Sequence, residues 1–184
     1  MKHDSVSPWR WAPAVSLLLL LPVSAAPPQL LLDINATPGT PFGSSPRGAM
    51  TLGAVTVFVG TELAHGAEPW RTDGTAAGTS RLADLNPGPA DSSPVLLGPV
   101  AGRLAFIAND GVHGAELWLT DGTTAGTTLL KDIAPGPAGS VSVQPLVEFG
   151  GFTWFFASDA TSGREVWRTD GTEAGTLRLI DLNP

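Results

Sequence analysis

Apolar residues fall in short runs that are rich in β-formers and bounded by turn residues. In the middle of the chain the runs are Pro94–Val100, Arg103–Ala108, Ala115–Thr120 and Thr127–Ile133. Between them lie Ala101-Gly102 and the stretches 109–114 and 121–126, which are rich in Gly, Asp and Thr. Such spacing predicts an antiparallel meander of four strands. No window shows a sustained helical period with start and stop signals. Asp-Gly after a run supplies the positive φ angle that a tight reversal requires, without steric cost at the glycine.

The same pattern is written three times. Glu68-Pro-Trp-Arg-Thr-Asp-Gly-Thr75, Glu116-Leu-Trp-Leu-Thr-Asp-Gly-Thr123 and Glu165-Val-Trp-Arg-Thr-Asp-Gly-Thr172 align without gaps. The tryptophans Trp70, Trp118 and Trp167 stand 48 and 49 residues apart, and each follows an aromatic residue (Phe58, Phe106, Phe155) by twelve. Every unit continues through Ala-Gly-Thr to an apolar step around Asp84, Asp132 or Asp181. A partial copy comes first, since Leu31-Leu-Asp-Ile-Asn35 matches Leu82-Ala-Asp-Leu-Asn86. The chain thus divides into a partial unit and linker at 26–43 and three repeats at 44–91, 92–139 and 140–184.

Four strands in a period of about 45 to 50 residues is the size of one β-propeller blade. The expected fold class is all-β: tandem four-stranded antiparallel blades, propeller-like, with an incomplete ring. An open solenoid is the alternative. One Trp per unit at a fixed phase reads as the large packing anchor between blades. Pro69, where the other units have Leu or Val, suggests an edge strand. Three units fall short of the about four to eight blades of a closed ring. Open blade edges invite self-association, for instance two chains closing one ring. The stop inside the motif at Asn183-Pro184 favours a longer array of which this chain is the first piece.

The run from Glu116 to Gly136 resembles the ELWxxDGT repeat of bacterial secreted proteins, over residues 44–184 and in part over 29–43. That resemblance implies an exported, propeller-like repeat module. It brings no defined catalytic residues.

Composition narrows the function classes. Lys+Arg 10 against Asp+Glu 17 gives a net charge of −7, which argues against nucleic-acid binding. With no cysteine, thiol catalysis, disulfides and Cys-based metal sites are excluded. Lys2 and Arg10 precede the apolar stretch Ala14–Leu21 and Pro22-Val-Ser-Ala25, the marks of a signal peptide over 1–25 cleaved after Ala25. The expected location is extracellular. That apolar stretch is short of the roughly 20 residues of a membrane span.

The repeated signature Glu68, Trp70, Asp73, Gly74; Glu116, Trp118, Asp121, Gly122; Glu165, Trp167, Asp170, Gly171 reads as structural, because a residue present in every unit serves every unit. The aspartates are expected to bond their own turns and the glutamates to accept turn amides. Asn109, Asp110 and Glu116 concentrate oxygens of the kind calcium takes, and form the weak calcium candidate. His65 and His113 share a phase but lack further ligands, so loop solvation is the expectation. The segment 74–79 lacks the Gly-Lys-Ser/Thr ending of a phosphate loop. No Gly-x-Ser-x-Gly elbow is present. No catalytic residue and no cofactor are expected. The leading function is a non-enzymatic extracellular binding or surface-structural module for a protein or carbohydrate ligand, contacting it through loops 60–66, 109–114 and 157–163. The alternative is the N-terminal part of a larger propeller enzyme such as a hydrolase or lyase.

Overall fold

The computed structural model describes residues 30–34 and 43–181. The proposed signal peptide lies outside the described residues. Three four-stranded antiparallel sheets follow one another, each in plain chain order. Sheet 1 holds β1 (Arg47–Leu52), β2 (Val55–Glu62), β3 (Gly66–Thr72) and β4 (Ser80–Arg81). Sheet 2 holds β5 (Val95–Val100), β6 (Arg103–Asn109), β7 (Ala115–Thr120) and β8 (Thr128–Leu129). Sheet 3 holds β9 (Val147–Phe149), β10 (Phe152–Asp159), β11 (Gly163–Thr169) and β12 (Leu177–Arg178). Among the described residues no helix is long and apolar enough to cross a membrane.

Register explains the twelve-residue spacing of the aromatics. Hairpin pairing sets Phe58 opposite Trp70, Phe106 opposite Trp118 and Phe155 opposite Trp167. Because successive side chains on a strand point to opposite faces, each pair marks one face of its sheet. Phe106 and Trp118 belong to the cluster shared with Val57 and Leu82 of the first unit. Phe155 and Trp167 belong to the cluster shared with Ala105, Ile107, Leu117 and Leu119 of sheet 2. Trp118 and Trp167 therefore pack between sheets, and sheet 2 is buried on both faces. Fully burying a side chain such as Leu119 or Phe106 (each 0% exposed) contributes about 1.5–3 kcal/mol.

The fourth strand is shorter than the expected Thr127–Ile133. After Leu129 only Leu130 N still bonds across, to Leu117 O. Leu130 and Ile133 then leave the ladder to fill the space between sheets 2 and 3. Leu82 does the same between sheets 1 and 2.

Pro69 does not mark an edge. It sits in β3, between β2 and β4. Its carbonyl accepts Leu82 N, and a strand residue's N–H and C=O point to the same side. The missing N–H thus faces the chain just beyond the two-residue β4, and costs the β2 ladder nothing.

Polar hooks tie each sheet to the next. Arg71 Nη1 donates to Gly122 O at 2.8 Å, and Arg103 Nη2 donates to Gly171 O. Lys131 Nζ donates to Thr176 O at 2.9 Å. In both interfaces the Asp-Gly-Thr turn of one unit rests on the first hairpin of the unit before it. A Cβ on Gly122 would meet Val55 Cγ2 at 2.9 Å, and one on Gly171 would meet Ala101 Cβ at 2.6 Å.

Candidate functional site

At one end of every sheet lies the Asp-Gly-Thr turn, built identically three times. Asp121 Oδ1 accepts Thr123 N at 2.8 Å and Thr123 Oγ1 at 2.7 Å. Thr123 Oγ1 accepts Gly126 N, and Thr127 Oγ1 donates to Thr123 O. Asp73 and Asp170 repeat this with Thr75 and Thr172. The threonine hydrogen bonds hold all three carboxyls below the usual aspartate range. Gly74, Gly122 and Gly171 take φ of 88°, 87° and 88°, which only glycine adopts freely.

Beneath the opposite end lie the glutamates. Glu68 is fully buried, and its carboxylate accepts Leu85 N at 3.0 Å, Ser92 N at 3.2 Å and Ser92 Oγ at 2.7 Å. Glu116, also fully buried, accepts Ala134 N at 3.3 Å and the Ser140 hydroxyl. Glu165 is buried at the same phase. Glu68 and Glu116 thus clamp the chain as it leaves one unit for the next. Burial raises the carboxyls of Glu68 and Glu116 above the ordinary glutamate range, although these hydrogen bonds favour the charged form. The serine partners had not been singled out from the sequence. Their signal was present: Ser92 and Ser140 each follow their glutamate by 24 residues.

The calcium candidates Asn109, Asp110 and Glu116 each make hydrogen bonds within the chain. Asn109 Oδ1 accepts Gly111 N, and Asp110 Oδ1 accepts Val112 N and His113 N. Glu116 is turned to Ala134 and Ser140. Among the described residues no three His, Asp or Glu side chains gather as a metal-binding group. The histidines are hydrogen-bonded to carboxylates rather than simply solvated, His65 Nδ1 with Asp84 at 2.9 Å and His113 Nδ1 with Asp110 at 2.7 Å. The indole Nε1 atoms of Trp70, Trp118 and Trp167 are buried without an acceptor, so these side chains act through shape and apolar area.

What differs between units is the loop joining the second and third strands of each sheet. Register places all three loops at equivalent ends: Glu62 pairs Gly66, Asn109 pairs Ala115, and Asp159 pairs Gly163. The first loop carries exposed Leu63 above an Arg81–Glu62 ion pair of 2.5 Å. The second carries exposed Val112 beside the Asp110–His113 pair. In the third, Asp159 accepts Thr161 N, Thr161 Oγ1 and Ser162 N, and pairs with Arg178 at 3.4 Å. These ends form a surface of mixed apolar, acidic and hydroxyl groups.

Fold and site together define an all-β protein of three stacked, internally homologous four-stranded sheets. No family model matches the chain, and no curated protein matches it. Among solved structures it is similar to the Bacteroides ovatus xyloglucan PUL GH43B, with a TM-score of 0.40 and 15% identity. That match covers 76% of this chain and 29% of the other, so this chain spans less than a third of the other's length.

Proposed function

We propose that the protein is an exported, non-enzymatic repeat module of the ELWxxDGT type, with propeller-like blades, that binds an extracellular protein or glycan. The observation that carries this reading is the contrast within each unit. The recurring carboxylates and tryptophans are consumed by turns, clamps and inter-sheet packing, whereas the loops at the opposite end vary in sequence over a constant frame. Loops that differ on a rigid scaffold are where binding residues concentrate. The acidic groups there suit a ligand offering hydroxyls or amides, and the exposed Leu63 and Val112 add apolar contact.

The test is binding of the purified protein to glycan and extracellular-protein arrays, followed by loop variants. Val112→Ser and Leu63→Ser should weaken any captured ligand while leaving the β spectrum and thermal midpoint unchanged. A ligand whose binding ignores all three loops would remove this reading. Turnover of a polysaccharide lost on changing a single carboxylate would replace it with an enzyme.

A further inference from the structure

The face of sheet 3 directed away from sheet 2 is built like faces that elsewhere in this chain are covered. In sheet 2 the face turned to the following unit holds Ala105, Ile107, Leu117 and Leu119, at most 5% exposed. The counterparts in sheet 3 are Trp154, Phe156, Val166 and Arg168, with Phe156 at 48%. The tail residues behave likewise: Leu82 and Leu130 are 1% and 5% exposed, but their counterpart Leu179 is 53% exposed. Phe149, at the phase of buried Val100, is 73% exposed.

The covering element is known from the two interfaces inside the chain. It is the Asp-Gly-Thr turn and aromatic-pair face of the next unit, held by an arginine on a glycine carbonyl. Arg168 stands at the phase of Arg71, whose Nη1 takes Gly122 O. In sheet 3 its guanidinium instead lies over Phe152, 4.2 Å from the ring centroid. The complement is equally unfilled on sheet 1. Gly122 and Gly171 are buried in their turns, whereas Gly74 is exposed and has no atom within 4 Å of where its Cβ would stand. Thr120 and Thr169 are fully buried, whereas Thr72 is only half-buried. Leu30–Ile34 share a cleft with Phe58, Thr72 and Thr79, where a preceding unit's tail would lie. That segment is loosely seated, with Leu31 43% exposed.

We infer that the outer face of sheet 3 docks the sheet 1 face of a second copy of this chain, with the Asp73–Thr75 turn seated on the Phe149–Phe152 hairpin and Arg168 donating to Gly74 O. The second copy's arrival brings Leu179 to the cleft and displaces Leu30–Ile34. The contact is head-to-tail, so it either closes a ring or runs on as a chain of copies. This goes beyond the binding reading, which stands or falls on the loops at the sheet ends.

Sedimentation velocity and light scattering of the purified protein over a wide concentration range test it. Wild type should associate reversibly, either stopping at twice the chain mass for a closed ring or growing further for an open one. Arg168→Glu should weaken association by roughly tenfold or more, the worth of a charged hydrogen bond. Leu179→Asp, on an exposed tail residue, should do the same, and circular dichroism shows that both variants keep the β fold. Mixing Arg168→Glu with a Thr72→Arg copy, which blocks the other face, should restore a dimer that neither forms alone. A monomer at every concentration overturns the inference and leaves the face to a segment of this chain or a different protein. Association untouched by both face variants overturns it too.

Discussion

The two ends of each sheet obey different rules. At the Asp-Gly-Thr end, three units repeat one set of hydrogen bonds to within 0.1 Å for the aspartate contacts. At the loop end, the same strand pair is closed by three different chemistries: an Arg81–Glu62 pair, an Asp110–His113 pair, and an Asp159 cap on Thr161 and Ser162. The first end is constrained because the turns of the second and third units must also fit the preceding sheet. The second faces solvent and is free to vary. Repetition therefore separates scaffold from surface within one chain.

Cutting the scaffold between the ends should show the largest effect. Trp118→Ala removes the ring that sheet 2 presents to the first unit, and should cost about 3–5 kcal/mol. Urea denaturation followed by circular dichroism reads it. Val112→Ala at the loop end, 63% exposed, should stay within about 0.5 kcal/mol.

A sharper comparison sets one turn against its own copy. Gly122→Ala and Gly74→Ala meet the same backbone strain at φ of 87° and 88°, about 1–2 kcal/mol for a left-handed residue. Only Gly122 faces a neighbour, Val55 Cγ2 at 2.9 Å from the new Cβ, which adds about 1–3 kcal/mol of overpacking. Thermal unfolding of the two variants at low protein concentration should rank Gly122→Ala clearly below Gly74→Ala. Equal losses would mean that the turn does not bear on the adjacent sheet.

The buried clamp comes next. Glu116→Gln weakens the acceptor that holds Ala134 N and the Ser140 hydroxyl, for about 1–3 kcal/mol. Its pH dependence has a definite sign. Burial raises the carboxyl of Glu116 in the folded state, so its contribution is fully present below the ordinary glutamate value and is lost as pH rises through the folded one. The penalty of Glu116→Gln should accordingly shrink from mildly acidic to neutral pH. The turn aspartates act oppositely, since their lowered carboxyls stabilise above the ordinary aspartate value and lose that stabilisation as pH falls through the folded one. Chemical denaturation across pH on wild type and variant separates the two.

Much of this architecture was legible because repetition carries phase. The Phe58–Trp70 spacing is the mark of the hairpin register, and the Asp-Gly-Thr run anticipated its own turn, since both are local. The ends of the fourth strands were not legible, because Leu130 and Ile133 are drawn out of the ladder by a neighbouring sheet that a local pattern does not contain. Pro69 misled for a related reason. Its effect depends on which side of β3 the missing N–H faces, a matter of register rather than composition. The partners of Asn109 and Asp110 are local, amides adjacent in sequence, whereas that of Glu116 is a serine 24 residues away that a local pattern does not contain.

The smallest effect belongs to the variable end. His113 Nδ1 donates to the Asp110 carboxylate at 2.7 Å, a contact that raises the imidazole's affinity for a proton above the ordinary histidine value. Burial pushes the Asp110 carboxyl up, but bonds from His113 and from Val112 N outweigh it and leave that carboxyl below its usual range. The stabilising contribution of His113 is thus complete below the ordinary histidine value and fades as pH rises through the folded one. An NMR titration should place the His113 midpoint higher than in the Asp110→Asn variant. Global stability near neutral pH should change little, because the pair sits on a solvent-facing loop. If the midpoint does not move, the loop end owes its order to the backbone cap of Asp110 alone, and the second unit's distinct chemistry would rest on Val112 and the exposed hairpin tip.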